Sequence, residues 1–179
     1  MFYDLQFGMT DMNIFKNMAL KYPKIVEEMC LAAVLAGAKI MEVYSEDDFG
    51  VEVKADYSPI TRADRLADDV IGKILKRNFP NIPIVSEESN YNQIPTIADI
   101  YFLVDPLDGT KEFIKKTGEF TTNIAVIFNG KAELGVVYVP VTKELYYRDL
   151  DGFSYLERDV NDFEVRGERN QISCRTADK

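Results

Sequence analysis

Histidine and tryptophan are both absent from the 179 residues, and cysteine occurs only at Cys30 and Cys174. Without histidine there is no Ser-His-Asp or Cys-His nucleophile and no histidine-ligated zinc site. Acid-base chemistry must then use Asp, Glu, Lys, Tyr, Thr or water acidified by a metal ion. Two distant cysteines make no disulfide framework, and Cys30, in an apolar helical stretch, reads as a buried thiol. A reducing, cytoplasmic setting is the simpler expectation. The longest apolar run, Met29 to Ala38, is too short to span a bilayer and is flanked by Glu28 and Lys39. Met1-Phe2-Tyr3-Asp4 shows no basic stretch followed by an apolar one, so no signal peptide is expected. Basic residues are outnumbered, 21 Lys and Arg against 30 Asp and Glu, for a net charge of −9. That argues against a nucleic-acid polymer or an anionic membrane surface as partner. An acidic protein that takes a phosphorylated small molecule needs cations to offset the repulsion, which points its acidic stretches towards divalent metal.

The chain is otherwise ordinary in balance, 46% hydrophobic and 28% charged, and long enough for one domain with a real core. Thr10 to Lys21 is compatible with a short helix. Tyr22-Pro23 punctuates it, and a longer helix is expected from about Lys24 to Tyr44. Its apolar face is Ile25, Met29, Ala33, Leu35, Ile40, Met41 and Tyr44. Ser45 to Pro59 reads as a loop or loose hairpin, with Lys54 as a solvated loop lysine. Thr61 with Asp64 three residues on resembles a capping box, Asp standing in for Glu, and opens a helix to about Asn78. Val70, Ile71, Ile74 and Leu75 form its buried stripe. Strands are expected at about Ile82–Ser86, Ile100–Asp105, Thr122–Phe128, Lys131–Tyr138 and Glu144–Asp149, with further strands near Phe153–Leu156 and Gln171–Arg175. Asn129-Gly130 is the strongest hairpin signal. Helices followed by hairpins predict an α+β fold, two long helices packed on a largely antiparallel sheet.

Asp105-Pro106-Leu107-Asp108-Gly109-Thr110-Lys111-Glu112-Phe113 organises the rest. A buried strand leads into it. Pro106 is expected to end that strand, Asp108-Gly109 to turn the chain, and Thr110 to cap a short helix through Phe113-Ile114. Upstream, Ile84-Val85-Ser86-Glu87-Glu88-Ser89 is a second acidic strand end. If the two strands are neighbours, Glu87 lies near Asp105. Hard oxygen ligands beside a helix N-terminus suit a divalent cation and a phosphate.

Together, Asp105 to Thr110, Glu87-Glu88 and Thr61-Arg62-Ala63-Asp64 resemble the inositol monophosphatase superfamily, magnesium-dependent and lithium-sensitive phosphatases. Relatives acting on inositol usually carry Asn before the Phe, and fructose bisphosphatases carry Ser-Ser-Asn after the Gly. Lys111-Glu112-Phe113-Ile114, Gly118-Glu119-Phe120-Thr121 and Gly135-Val136-Val137-Tyr138-Val139-Pro140 are similar instead to the 3'(2'),5'-bisphosphate nucleotidase branch. The resemblance implies removal of the 3'-phosphate of adenosine 3',5'-bisphosphate, leaving AMP, with two or three Mg2+ ions. It implies that Glu87, Asp105 and the Leu107 carbonyl hold one ion, and Asp105 and Asp108 a second. Thr110 paired with Asp64 would activate the attacking water. The Gly109 and Thr110 amides would contact phosphate. Lys54 matches a loop lysine near the metals, while Glu88 is left structural.

The resemblance covers roughly Lys24 to Lys179, leaving residues 1–23 as an N-terminal extension. Members of the superfamily continue into a second α/β lobe, whose Trp-Asp segment completes the second metal site. Residues 24–179 are thus expected to be the first lobe alone. The alternatives are an inositol- or sugar-phosphate phosphatase, or an inactive remnant. The expected partners are a small phosphorylated nucleotide, and a second copy or a separate C-terminal half.

Overall fold

The computed structural model describes residues 17–88, 99–161 and 168–173. After a helical turn over 17–21, the elements are α1 (Ile25–Tyr44), β1 (Glu52–Val53), β2 (Pro59–Ile60), α2 (Arg62–Asn78), β3 (Ile84–Ser86), β4 (Ile100–Asp108), α3 (Thr110–Ile114), β5 (Thr121–Phe128), β6 (Lys131–Val139), β7 (Glu144–Arg148), β8 (Ser154–Glu157) and β9 (Asn170–Ile172). Residues 10–16 of the expected first helix and Cys174 lie outside the described residues. Strands β3 to β9 form one sheet in chain order. Only β3–β4 is parallel; every other pair in that sheet is antiparallel. The expected α+β architecture is therefore present.

Helices α1 and α2 pack on each other and on one face of the sheet, α1 over β5, β6 and β7 and α2 over β3 and β4. The core between them holds Met29, Ala33, Ile40, Ile71 and Leu75 from the helices, and Phe102, Val104, Ile124, Val126, Val136 and Leu145 from the sheet. The Cys30 side chain is buried there. Leu35 departs from the expected apolar face: it is 39% exposed, because it falls off the stripe marked by Met29, Ala33, Ala36, Ile40 and Val43. Asn129 and Gly130, at φ 48° and 77°, make the tight turn that a two-residue hairpin requires. The opposite face of the sheet bears Tyr101, Leu103, Asp105, Asn123, Ala125, Val137 and Tyr146 in alternation with the core residues. No helix among the described residues is long and apolar enough to cross a membrane.

Pro106 does not end its strand. Strand β4 runs on through Leu107 to Asp108, and the pairing with β5 slips between Asp105 and Asp108. The irregularity accommodates the missing Pro106 N–H, and the Thr122 hydroxyl donates to the Pro106 carbonyl at 3.0 Å.

Helix α1 reaches the sheet closely at Gly37. A Cβ there would stand 2.6 Å from Tyr138 Cδ1 and 3.2 Å from Pro140 Cγ. The Tyr138 ring cannot swing away freely, since its hydroxyl donates to the Val160 carbonyl at 2.7 Å. Gly37→Ala should therefore destabilise the fold by about 1–3 kcal/mol through overpacking, although alanine favours helix by up to about 1 kcal/mol. Urea denaturation tests the sign; a higher midpoint for the variant would overturn the packing argument.

Candidate active site

The parallel pairing of β3 with β4 puts Ser86 opposite Val104, and the Glu87 N–H donates to the Val104 carbonyl at 3.1 Å. Glu87 and Glu88 thus emerge beside Asp105 at the carboxyl ends of two parallel strands. The Ser86 hydroxyl donates to Asp68 Oδ1 at 2.5 Å and accepts from the Glu88 N–H at 3.4 Å, which holds this turn against α2. Asp105 is half-buried, and its Oδ1 is buried with no hydrogen-bond partner. Burial, then the negative charges of Glu87 and Asp108, push the Asp105 carboxyl up to about 7. Asp108 is exposed and accepts from Asn123 Nδ2 at 3.2 Å.

Gly109 sits at φ 96°, ψ 34°, and a Cβ there would meet the Glu119 carbonyl oxygen at 2.7 Å. Only glycine fits this left-handed corner. It starts α3, which Phe113 anchors in an aromatic cluster with Tyr44, Phe49 and Phe120 at centroid distances of 5.2, 5.0 and 5.3 Å. Thr110 does not cap this helix: Gly109 occupies the N-cap position, and no side chain caps it. The Thr110 hydroxyl faces the other way, with Asp64 Oδ1 at 3.0 Å and the Leu107 carbonyl at 3.2 Å as acceptors.

Asp64 and Thr61 form the expected capping box of α2. Asp64 Oδ2 accepts from the Thr61 N–H at 2.8 Å and the Thr61 hydroxyl at 2.5 Å. Its other oxygen is left for Thr110. Burial raises the Asp64 carboxyl above its ordinary range, and the bonds from Thr61 and Thr110 oppose that rise.

Lys54 is not a solvated loop lysine. It follows β1 in a turn closed by its N–H to the Ser58 carbonyl at 2.8 Å, and its Nζ reaches Glu88 Oε1 at 2.7 Å and Glu87 Oε1 at 3.3 Å. Burial pulls its ammonium down, but hydrogen bonds and charge from Glu88 and Glu87 outweigh this and raise it. Glu88, left structural in the sequence reading, forms the shorter of the two ion pairs with Lys54. Burial raises its own carboxyl, against the pull of Lys54. Asn123, bonded to Asp108, lies beside the candidate site, and sequence reasoning misses it. Its only signal is an amide on the outward phase of an otherwise apolar strand.

The segments carrying Glu87, Asp105, Asp108, Thr110 and Asp64 come together, with Lys54 at their edge. No group of three or more Asp, Glu or Cys among the described residues is arranged so that it could hold a metal ion. The donor types nevertheless suit one. A buried carboxylate oxygen without a partner, raised by two further carboxylates, is a poor anion site and a good cation site. All the donors are hard oxygens, which favour magnesium, calcium or manganese.

Residues 23–173 match the sequence model of the inositol monophosphatase family. The chain belongs to that family. It is 44% identical over 140 residues to the 3'(2'),5'-bisphosphate nucleotidase CysQ of Buchnera aphidicola, covering 77% of this chain and 53% of that protein. The CysQ of Salmonella typhimurium is 43% identical over 160 residues, 86% of this chain and 60% of its own. Among solved structures, CysQ of Bacteroides thetaiotaomicron, a bacterial member of the same family, superposes with a TM-score of 0.72 at 36% identity. That match covers 89% of this chain and 61% of the other. The chain spans about half the length of the curated relatives it matches.

Proposed function

We propose that this chain is the catalytic-carboxylate lobe of a Mg2+-dependent phosphomonoester hydrolase that removes the 3'-phosphate of adenosine 3',5'-bisphosphate to leave AMP. One observation supports this above the rest: the buried, partnerless Asp105 Oδ1, next to Glu87 and Asp108. The similarity to nucleotidases named CysQ favours the nucleotide over inositol or sugar phosphates.

In this reading Glu87, Asp105 and the Leu107 carbonyl hold one ion, and Asp105 with Asp108 a second. Bound there, divalent cations supply positive charge against the phosphate dianion and acidity for the attacking water. The protein's own groups do the rest. Thr110 orients that water, and Asp64 Oδ1, 3.0 Å from the Thr110 hydroxyl, takes its proton in relay. The Gly109 and Thr110 amides bind a phosphate oxygen. Lys54 holds Glu87 and Glu88 in place and adds charge at the rim. Residues 24–179 would then be the first lobe of the phosphatase fold, and the uncovered sheet face around Leu103, Ala125 and Val137 the seat of a second. The compartment proposed is the cytoplasm.

Phosphate release from adenosine 3',5'-bisphosphate with Mg2+, with and without Li+, tests the reading. Release that Li+ suppresses is the expected result. Faster release from inositol phosphate would move the substrate, and no release from either by a folded chain would leave an inactive remnant.

A further inference from the structure

Strand β5 places Asn123 directly opposite Asp105, and Thr121 opposite Asp108, on either side of the break in β4. Asn123 therefore stands on the same face as Asp105 and reaches forward to Asp108, donating from Nδ2 to Oδ2 at 3.2 Å. An amide can present either its nitrogen or its oxygen, and the wrong choice would turn a lone pair on the carboxylate. Thr121 decides the orientation: its hydroxyl donates to Asn123 Oδ1 at 3.1 Å, which commits the amide nitrogen to Asp108. We propose that the Thr121–Asn123 pair is the positioning device for Asp108, setting its carboxylate for the second cation of the reaction. This rests on the metal reading given above.

The physical need is specific to Asp108. Glu87 has Lys54 beside it, and Asp105 is wedged at the strand break. Asp108 is exposed at the end of β4, where its side chain would otherwise sample several rotamers. A neutral donor fixes it without adding charge. A cation in the same place would compete with metal, and an anion would add to the repulsion already raising Asp105.

Titration with Mn2+ followed by electron paramagnetic resonance reads occupancy of the ions without any turnover. Asn123→Ala is expected to weaken the second Mn2+ roughly ten-fold or more, leaving the first unchanged. Thr121→Val should weaken the same ion by a smaller factor, and Thr121→Ser should restore it. A merely structural role for Thr121 gives the reverse order, because a strand tolerates valine better than serine. Unchanged Mn2+ binding in Asn123→Ala, while Asp108→Ala loses an ion, would overturn the positioning role alone. If Asp108→Ala and Asp105→Asn both bind Mn2+ as the parent does, the metal reading beneath it falls as well.

Discussion

Asp105→Asn is expected to abolish phosphate release while making the metal-free protein more stable above pH 7. The two effects have one cause. In the folded state Asp105 is held at about 7 by burial and by the charges of Glu87 and Asp108, against 3.8 for an ordinary aspartate. Between about pH 4 and 7 the folded chain therefore keeps a proton that the unfolded chain has lost, and stability falls as pH rises across that window. The stabilisation is whole below pH 4 and gone above pH 7. Asparagine cannot ionise, so the variant should not show this fall. Asp105 is only half-buried, and solvent screening reduces the gain at pH 8 to roughly 1–2 kcal/mol, a few degrees in melting temperature. Under the proposed metal reading, added Mg2+ should reverse the ranking by binding and stabilising the parent more than the variant. In the proposed reading Asp105 is shared between two ions, and losing it would remove several kcal/mol of charge stabilisation, so release should drop by about a thousandfold or more. Melting curves at pH 5 and 8, with and without Mg2+, check the first half. A variant no more stable than the parent at pH 8 would mean that Asp105 is not electrostatically strained. A variant that still releases phosphate would remove it from the site.

Asp64→Asn should be the second most damaging change, and it should cost both fold and activity. The two oxygens of Asp64 serve different partners, since Oδ2 closes the cap of α2 on Thr61 and Oδ1 takes the Thr110 hydroxyl. An asparagine keeps its one acceptor oxygen for the Thr61 donors, and its NH2 group then faces the Thr110 hydroxyl, which can accept while donating to the Leu107 carbonyl at 3.2 Å. Asp64 is 1% exposed, so these bonds form out of reach of water. Loss of the carboxylate from the cap costs the fold about 1 kcal/mol. Phosphate release should also fall by roughly 10²–10⁴-fold, the usual contribution of a positioned base. Thr110→Val separates the two roles. It spares the cap but leaves the buried Asp64 Oδ1 without its donor, so chemical denaturation should show a loss of about 1–3 kcal/mol from that oxygen alone, while its activity should fall as far as that of Asp64→Asn. If Thr110→Val keeps its activity, the hydroxyl relay is wrong and Asp64 is only a helix cap.

Much of this architecture is local, and local chemistry can be read from residues in order. The Thr61–Asp64 box, the Asn129-Gly130 turn and the spans of α2, β5 and β6 all depend on neighbours within a few residues of one another. The acidic motif itself is of the same kind, since turn, bulge and helix start follow one another within Asp105 to Thr110. Two local expectations within the acidic motif still failed for physical reasons. Pro106 stays in its strand because the ladder breaks there, and Thr110 turns its hydroxyl from its own helix to a better acceptor on another.

What residue order could not decide was which distant groups meet. Thr110 and Asp64 are 46 positions apart, and Lys54 and Glu88 are 34 apart. Their contacts depend on how α2 lies over β4, and on the parallel register that lines Glu87 up with Asp105. Asn123 shows the same limit, for only the slipped β4–β5 pairing brings an unremarkable strand amide onto Asp108. The order of residues determined which carboxylates are candidate ligands and where the chain turns between them. Sheet register and helix packing, which sum many weak contacts across the whole domain, decided which carboxylate faces which.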